Sequence, residues 1–120
     1  MAAVDLLLVD GSTVTVDNSQ VTYVQGEDNA VEVIIPTMGE NPIVLTVDDA
    51  LADVVTALGR IVDIDVSYGS KYVNADKIMT IFEVTGGTSK VTYNSDFGAY
   101  NDVFASTESR SSIKTKIDAL

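Results

Sequence analysis

Val16-Asp17-Asn18-Ser19-Gln20-Val21 returns later in the chain as Val73-Asn74-Ala75-Asp76-Lys77-Ile78, with β-branched residues at both ends and an Asx in second place. The match has neighbours. Gly11-Ser12 lies upstream of the first copy and Gly69-Ser70 upstream of the second, each just after a short β-like run, Asp5–Val9 and Ile61–Val66. Downstream of each copy comes a Thr/Val/Ile-rich run broken by a turn, Gly26-Glu27-Asp28-Asn29 in one half and Gly86-Gly87-Thr88 in the other. Each half closes on an amphipathic helix signal, where Leu51, Val55 and Leu58 have the spacing of Ile113, Ile117 and Leu120. Self-similarity at this period indicates a duplicated supersecondary unit. Hairpins and tails differ in length, so the duplication is degenerate: residues 1–59 form a first β-rich repeat ending in a helix, and 60–120 a second. The two can also merge into one compact domain.

Val14 and Val16, then Val21 and Tyr23, alternate with polar residues at the period of a half-buried strand. Ala30–Ile35 ends at Pro36, which suits a strand end. Ile43–Val47 follows the turn-forming Gly39-Glu40-Asn41-Pro42. Thr46 is expected to cap a helix over 48–58, with acids in its first turn and Gly59 as its stop. In the second half Met79, Ile81 and Glu83 should share one face of a strand, opposite Ile78, Thr80 and Phe82. Ser106 or Ser109 caps the terminal helix, and Lys114 and Lys116 lie in its last turns. The fold class is therefore mainly β (α+β): two tandem repeats, each of about four to five antiparallel strands followed by one helix. Such a unit curls into a small barrel or lies as a sheet with the helix across one face. Either form leaves strand edges that must be paired or covered, and little Lys or Pro blunts them here.

Composition removes much chemistry. The 120 residues include no His, no Cys and no Trp. Zinc, haem, iron–sulfur, thiol and Ser-His-Asp chemistry all lack their usual ligands or bases. An enzyme is not expected, nor a cofactor, nor a metal. Zero Cys also excludes a disulfide framework and leans intracellular. Leu6-Leu7-Leu8-Val9, flanked by Asp5 and Asp10, reads as a strand and not as a signal peptide or membrane span. A soluble protein with no membrane partner is expected. Charge is lopsided: residues 1–59 hold ten acids and no Lys or Arg, while 60–120 hold eight acids and all seven bases. The first part should repel a phosphate backbone.

The candidate motifs are few. Asp63 with Asp65, or Asp48, Asp49 and Asp53, offer oxygens to a hard cation, but acids at a helix start ordinarily serve its dipole. Gly86-Gly87-Thr88-Ser89-Lys90 lacks P-loop spacing and reads as a hairpin turn with Lys90 opening a strand. Lys71, Tyr72, Lys77, Phe82, Lys90 and Tyr93 interleave cations and aromatics on second-half strands, the residue types of a single-strand binder. Phe97, Tyr100 and Phe104 crowd one short stretch, which reads equally as a core-anchored loop or a contact patch.

The Lys71–Val84 segment (KYVNADKIMTIFEV), followed by a Gly turn, a strand and a Ser-capped helix, resembles short proteins of marine bacteriophages, cyanophages especially. The resemblance covers mainly residues 61–120. It implies Sm-like barrels that form rings, and either a virion component or a nucleic-acid-processing accessory. The same strand–helix order is similar to Whirly-type single-strand binders. Together these point first to a non-enzymatic virion structural protein such as a capsid decoration or cement protein. It would act as a homo-oligomer on a capsid or other virion protein, and be located in the virion or otherwise the host cytoplasm. The alternative is an Sm-like or Whirly-like binder of single-stranded nucleic acid.

Overall fold

A computed structural model describes residues 2–37, 41–84, 88–94 and 101–120. The chain follows one path twice: hairpin, one-turn 3-10 helix, three-stranded meander, α-helix. The first pass runs β1 (Ala3–Leu7), β2 (Thr13–Asp17), a 3-10 turn (Asn18–Gln20), β3 (Tyr23–Glu27), β4 (Ala30–Ile35), β5 (Ile43–Val47) and α1 (Leu51–Leu58). The second runs β6 (Ile61–Val66), β7 (Gly69–Asn74), a 3-10 turn (Ala75–Lys77), β8 (Ile78–Val84), β9 (Thr88–Asn94), β10 (Asn101–Ser106) and α2 (Arg110–Asp118).

Register repeats along with order. Ala3 stands opposite Asp17 as Ile61 stands opposite Asn74, and Asp5 faces Thr15 as Asp63 faces Tyr72. Both 3-10 turns begin on the duplicated Asx. The Asp17 carboxylate accepts the Ser19 N–H at 3.0 Å, and Asn74 Oδ1 accepts the Asp76 N–H at 2.9 Å. A short polar side chain bonding two residues ahead offers the backbone an exit from the strand, so the chain turns there. The end of each hairpin then meets the end of its own meander. Asp48 N–H donates to Leu7 O at 2.8 Å in the first repeat, and Thr107 N–H to Asp65 O at 3.1 Å in the second.

The helices differ from the sequence reading at their starts. Thr46 lies inside β5, and the residue at the head of α1 is Ala50, whose side chain caps nothing. Asp28, from the β3–β4 turn, accepts the Leu51 N–H at 2.8 Å instead. A cap borrowed from a distant turn leaves no local signature. Ser109, by contrast, accepts the Ser112 N–H at 3.2 Å as the spacing foresees. Gly59 ends α1 at φ 80°, a left-handed conformation open to glycine without strain. The structural match between the helices is also one turn-step away from the sequence alignment. Val54 and Ile113 are the fully buried counterparts, whereas Leu120 is 46% exposed. In β8 a bulge between Ile78 and Thr80 breaks the expected alternation. Ile78 and Ile81 both face the core, and Met79 is thrown out into solvent.

Among the described residues the strands form three sheets and no closed barrel: β1–β2, β10–β9–β8 and β5–β4–β3–β7–β6. The five-stranded sheet crosses the 59/60 boundary because β7 of the second repeat pairs with β3 of the first, Tyr23 opposite Val73 and Val24 opposite Tyr72. Two apolar cores result. One gathers Leu6, Val16, Val24, Val33, Val54 and Leu58, the other Ile64, Val73, Val91, Phe104 and Ile113. Each borrows from the other half, since Ile61 and Tyr72 pack into the first and Tyr23 into the second. Ile61 is the fully buried aliphatic of the three, and burying such a side chain is worth about 1.5–3 kcal/mol, which helps join the repeats. The molecule measures 47 × 29 × 26 Å, with the repeats in tandem.

Candidate functional site

The repeat junction is the first place where chemistry gathers. Asn74, fully buried, donates through Nδ2 to Val21 O at 2.7 Å and Asn18 O at 3.1 Å, while its Oδ1 caps the 3-10 turn. Thr22, also fully buried, donates to Asn94 O at 2.8 Å. Beyond Val24 and Tyr72 the strands β3 and β7 have no further paired residues. A cleft of about 310 Å³ lies there, lined by Tyr23, Tyr68, Tyr72, Tyr93, Gln25 and Lys71 among others. Tyr93 stands edge-on to Tyr23 at 6.4 Å and to Phe104 at 5.9 Å, and its hydroxyl donates to Asp102 at 3.1 Å. Lys71 Nζ lies 5.4 Å above the Phe104 ring, a cation–π contact. Burial first, and then the Asp102 charge, push the Tyr93 and Tyr23 phenols above their ordinary pKa. Both stay protonated at neutral pH, and the cleft sets aromatic faces beside Lys71.

The second place is the outer strand of the small sheet. β8 pairs with β9 on one side, and on its other side no strand bonds to it among the described residues. Met79 is 55% and Phe82 65% exposed, and Val103 on β10 is 58% exposed. Phe82 stands directly opposite Lys90 on β9. Between β8 and α2 lies a groove of about 340 Å³ lined by Ile78, Met79, Ile81 and Ile117, with Arg110 and Lys114 at its rim.

The six residues singled out for nucleic-acid contact do not share one surface. Lys71, Tyr72 and Tyr93 line the junction cleft, whereas Phe82 and Lys90 pair across the outer face of the small sheet. Lys77 lies in the second 3-10 turn. Tyr93 is only 3% exposed and spends its ring in the second core, so that ring is not a free stacking platform. Phe104 is likewise core and not a contact patch, since Val91, Tyr93 and Lys71 enclose it. Phe97 and Tyr100 lie outside the described residues, as does the Gly86-Gly87 turn. Lys90 sits within β9 and not at a helix start, so no phosphate cradle forms around it. Asp63 and Asp65 are exposed on β6, and among the described residues no group of three or more acids converges on one point.

Sequence reasoning passed over Asn74, Tyr23, Met79 and Val103 as site residues. Asn74 was visible as half of the duplicated Asx pair, but its burial depends on a strand pairing between repeats that no local pattern encodes. Comparison with protein families, with characterised proteins and with solved structures finds no match to this chain.

Proposed function

We propose that this protein is a non-enzymatic structural subunit that works through protein–protein contacts. The observation that carries this reading is the edge of β8, which no strand pairs among the described residues, set beside the exposed apolar side chains of Met79, Phe82 and Val103. A row of free backbone donors and acceptors next to apolar surface is a template for another chain, and monomers usually blunt it. Its edge residues Ile78–Val84 include one acid, Glu83, and no Lys or Pro. The resemblance of residues 61–120 to marine phage proteins narrows the proposal to a virion component, such as a capsid decoration protein whose acidic first repeat docks on a basic shell surface.

A single-stranded nucleic-acid binder is the second reading. It is favoured by the cleft that brings Lys71 and Tyr72 together beside Tyr68. A net charge of −11 opposes it. Titrating a labelled single-stranded oligonucleotide at low and moderate salt separates the two. The structural subunit is expected to leave the oligonucleotide free at both. Micromolar binding that weakens as salt rises would overturn the proposal, and neutralising Lys71, the cation of the cleft, would then flatten the salt slope. No helix among the described residues is long and apolar enough to cross a membrane.

A further inference from the structure

The two repeats use their equivalent edges differently. In the first repeat the edge of β3 is covered by β7, and the hairpin that brings β7 also brings Ile61 and Tyr72 into the first core. In the second repeat the equivalent edge, β8, carries no strand among the described residues, and the space between β8 and α2 is the open groove of about 340 Å³. Register fixes the equivalence: Tyr23 faces Ile34 as Thr80 faces Thr92, so Thr22 corresponds to Met79 and Val24 to Ile81. Thr22 is fully buried while Met79 is 55% exposed. Likewise β2, the counterpart of β7, pairs with β1 alone among the described residues. Were the two repeats related by a reciprocal two-fold, β2 would cover β8 within the chain. It does not. The relation is head-to-tail, and it leaves one donor hairpin and one acceptor edge unused.

We propose that the hairpin β1–β2 of a second copy of this chain adds to the β8 edge, with Val16 opposite Thr80 and Thr15 opposite Ile81, copying the β3–β7 junction. This rests on the reading that the chain acts through protein contacts and names the partner as itself. Charge favours that occupant: every charged side chain of the incoming repeat is an acid, and Arg110 and Lys114 (the latter bridged to Asp118) line the groove where α1 carries Leu51 and Val55. The copy is weaker than the original. Thr15 and Thr80 replace Tyr72 and Tyr23, and Asp17 comes where Asn74 donates, facing the carbonyls of Ala75 and Ile78 with no proton to give. Open heterologous contacts of this kind build rings or filaments.

Sedimentation velocity across a wide concentration range tests this, together with cysteine cross-linking in a chain that has no native Cys. The mass is expected to rise above 12.7 kDa with concentration. Asp17→Asn restores the missing donor and should tighten association about tenfold. Met79→Glu puts a charge at the position of the buried Thr22 and should leave a folded monomer, as checked by circular dichroism. Thr15→Cys chains mixed with Ile81→Cys chains should give the mixed disulfide dimer. A monomer at every concentration, for wild type and Asp17→Asn alike, would overturn the proposal. So would a disulfide formed within a single doubly substituted chain, which would mean that the protein's own hairpin closes on β8. Homodimers of Thr15→Cys alone, or assembly undisturbed by Met79→Glu, would equally exclude it. These outcomes are independent of the oligonucleotide titration, which tests the structural role itself.

Discussion

Asp17 and Asn74 occupy the same corner of the same motif and do different work. Both accept the N–H two residues ahead and start a 3-10 turn. Only Asn74 carries a donor as well, and it alone is buried between the repeats, where it satisfies the carbonyls of Asn18 and Val21. Hydrogen bonds from Ser19 hold the Asp17 carboxyl below its ordinary pKa, so it stays an acceptor and a charge. One atom of difference separates a corner that can be buried against carbonyls from one that stays half in water. Asn74→Asp therefore makes the largest break in the comparison. Two carbonyls lose their donor and a carboxylate is left in a site built for an amide, a loss of about 4 kcal/mol in unfolding free energy. Chemical denaturation measures it. A cost near zero would mean that water reaches the junction and that the pairing of β3 with β7 does not depend on Asn74.

The helices sharpen the same contrast. Leu58 in α1 and Ile117 in α2 are counterparts, but Leu58 is 1% exposed and Ile117 only partly buried. The difference is the second hairpin, whose Ile61 and Tyr72 join Leu58 in the first core. Truncating a buried Leu removes its transfer energy and leaves a cavity, so Leu58→Ala should cost about 3 kcal/mol. Ile117→Ala, beside an open groove, should cost about half as much. Equal costs would show that the hairpin is not what protects α1.

Much of this is legible in the sequence itself. Period-2 alternation marked the strands, and Gly and Asx residues marked the turns, because each reports a local backbone demand. The duplication was legible because both copies of the corner must solve the same steric problem. Three things escaped. The α1 cap comes from Asp28, more than twenty positions away in sequence, so no capping spacing exists to find. The bulge at Met79 reverses which β8 side chains face inward, and one extra residue in a strand leaves the composition unchanged. The pairing of β3 with β7 decides which polar and aromatic residues are buried. It sets Tyr23 of the first repeat against Tyr93 in the second core. A non-local pairing is chosen by the sum of two cores, and neither strand announces its partner.

A further contrast lies where each meander meets its helix. Asp49 and Glu108 stand at equivalent places, two positions before the first helical residue of α1 and α2. Asp49 is exposed, and among the described residues its carboxylate bonds just its neighbour, accepting the Ala50 N–H at 2.8 Å. Glu108 is 9% exposed and clips α2 to β6. It accepts the Asp65 N–H at 2.7 Å, Lys116 Nζ at 2.8 Å and Ser112 Oγ at 2.7 Å. Burial pushes the Glu108 carboxyl up, but the bonds from Lys116, Asp65 and Ser112 outweigh it and leave the pKa below its ordinary value. Burial likewise opposes the Lys116 charge, and Glu108 outweighs it, leaving that pKa raised. A depressed carboxyl contributes stability above its unfolded value, near 4.5, and that contribution fades as pH falls through the folded value. A raised amine contributes below 10.5 and loses its share as pH rises past that. Glu108→Gln is therefore expected to lower stability by about 2 kcal/mol at pH 7, against almost nothing for Asp49→Asn. Repeating the denaturation at successively lower pH, starting from 4.5, should bring wild type and Glu108→Gln together once the native carboxyl loses its charge as well. A gap that persists undiminished in acid would mean that the clip holds α2 by shape and not by charge.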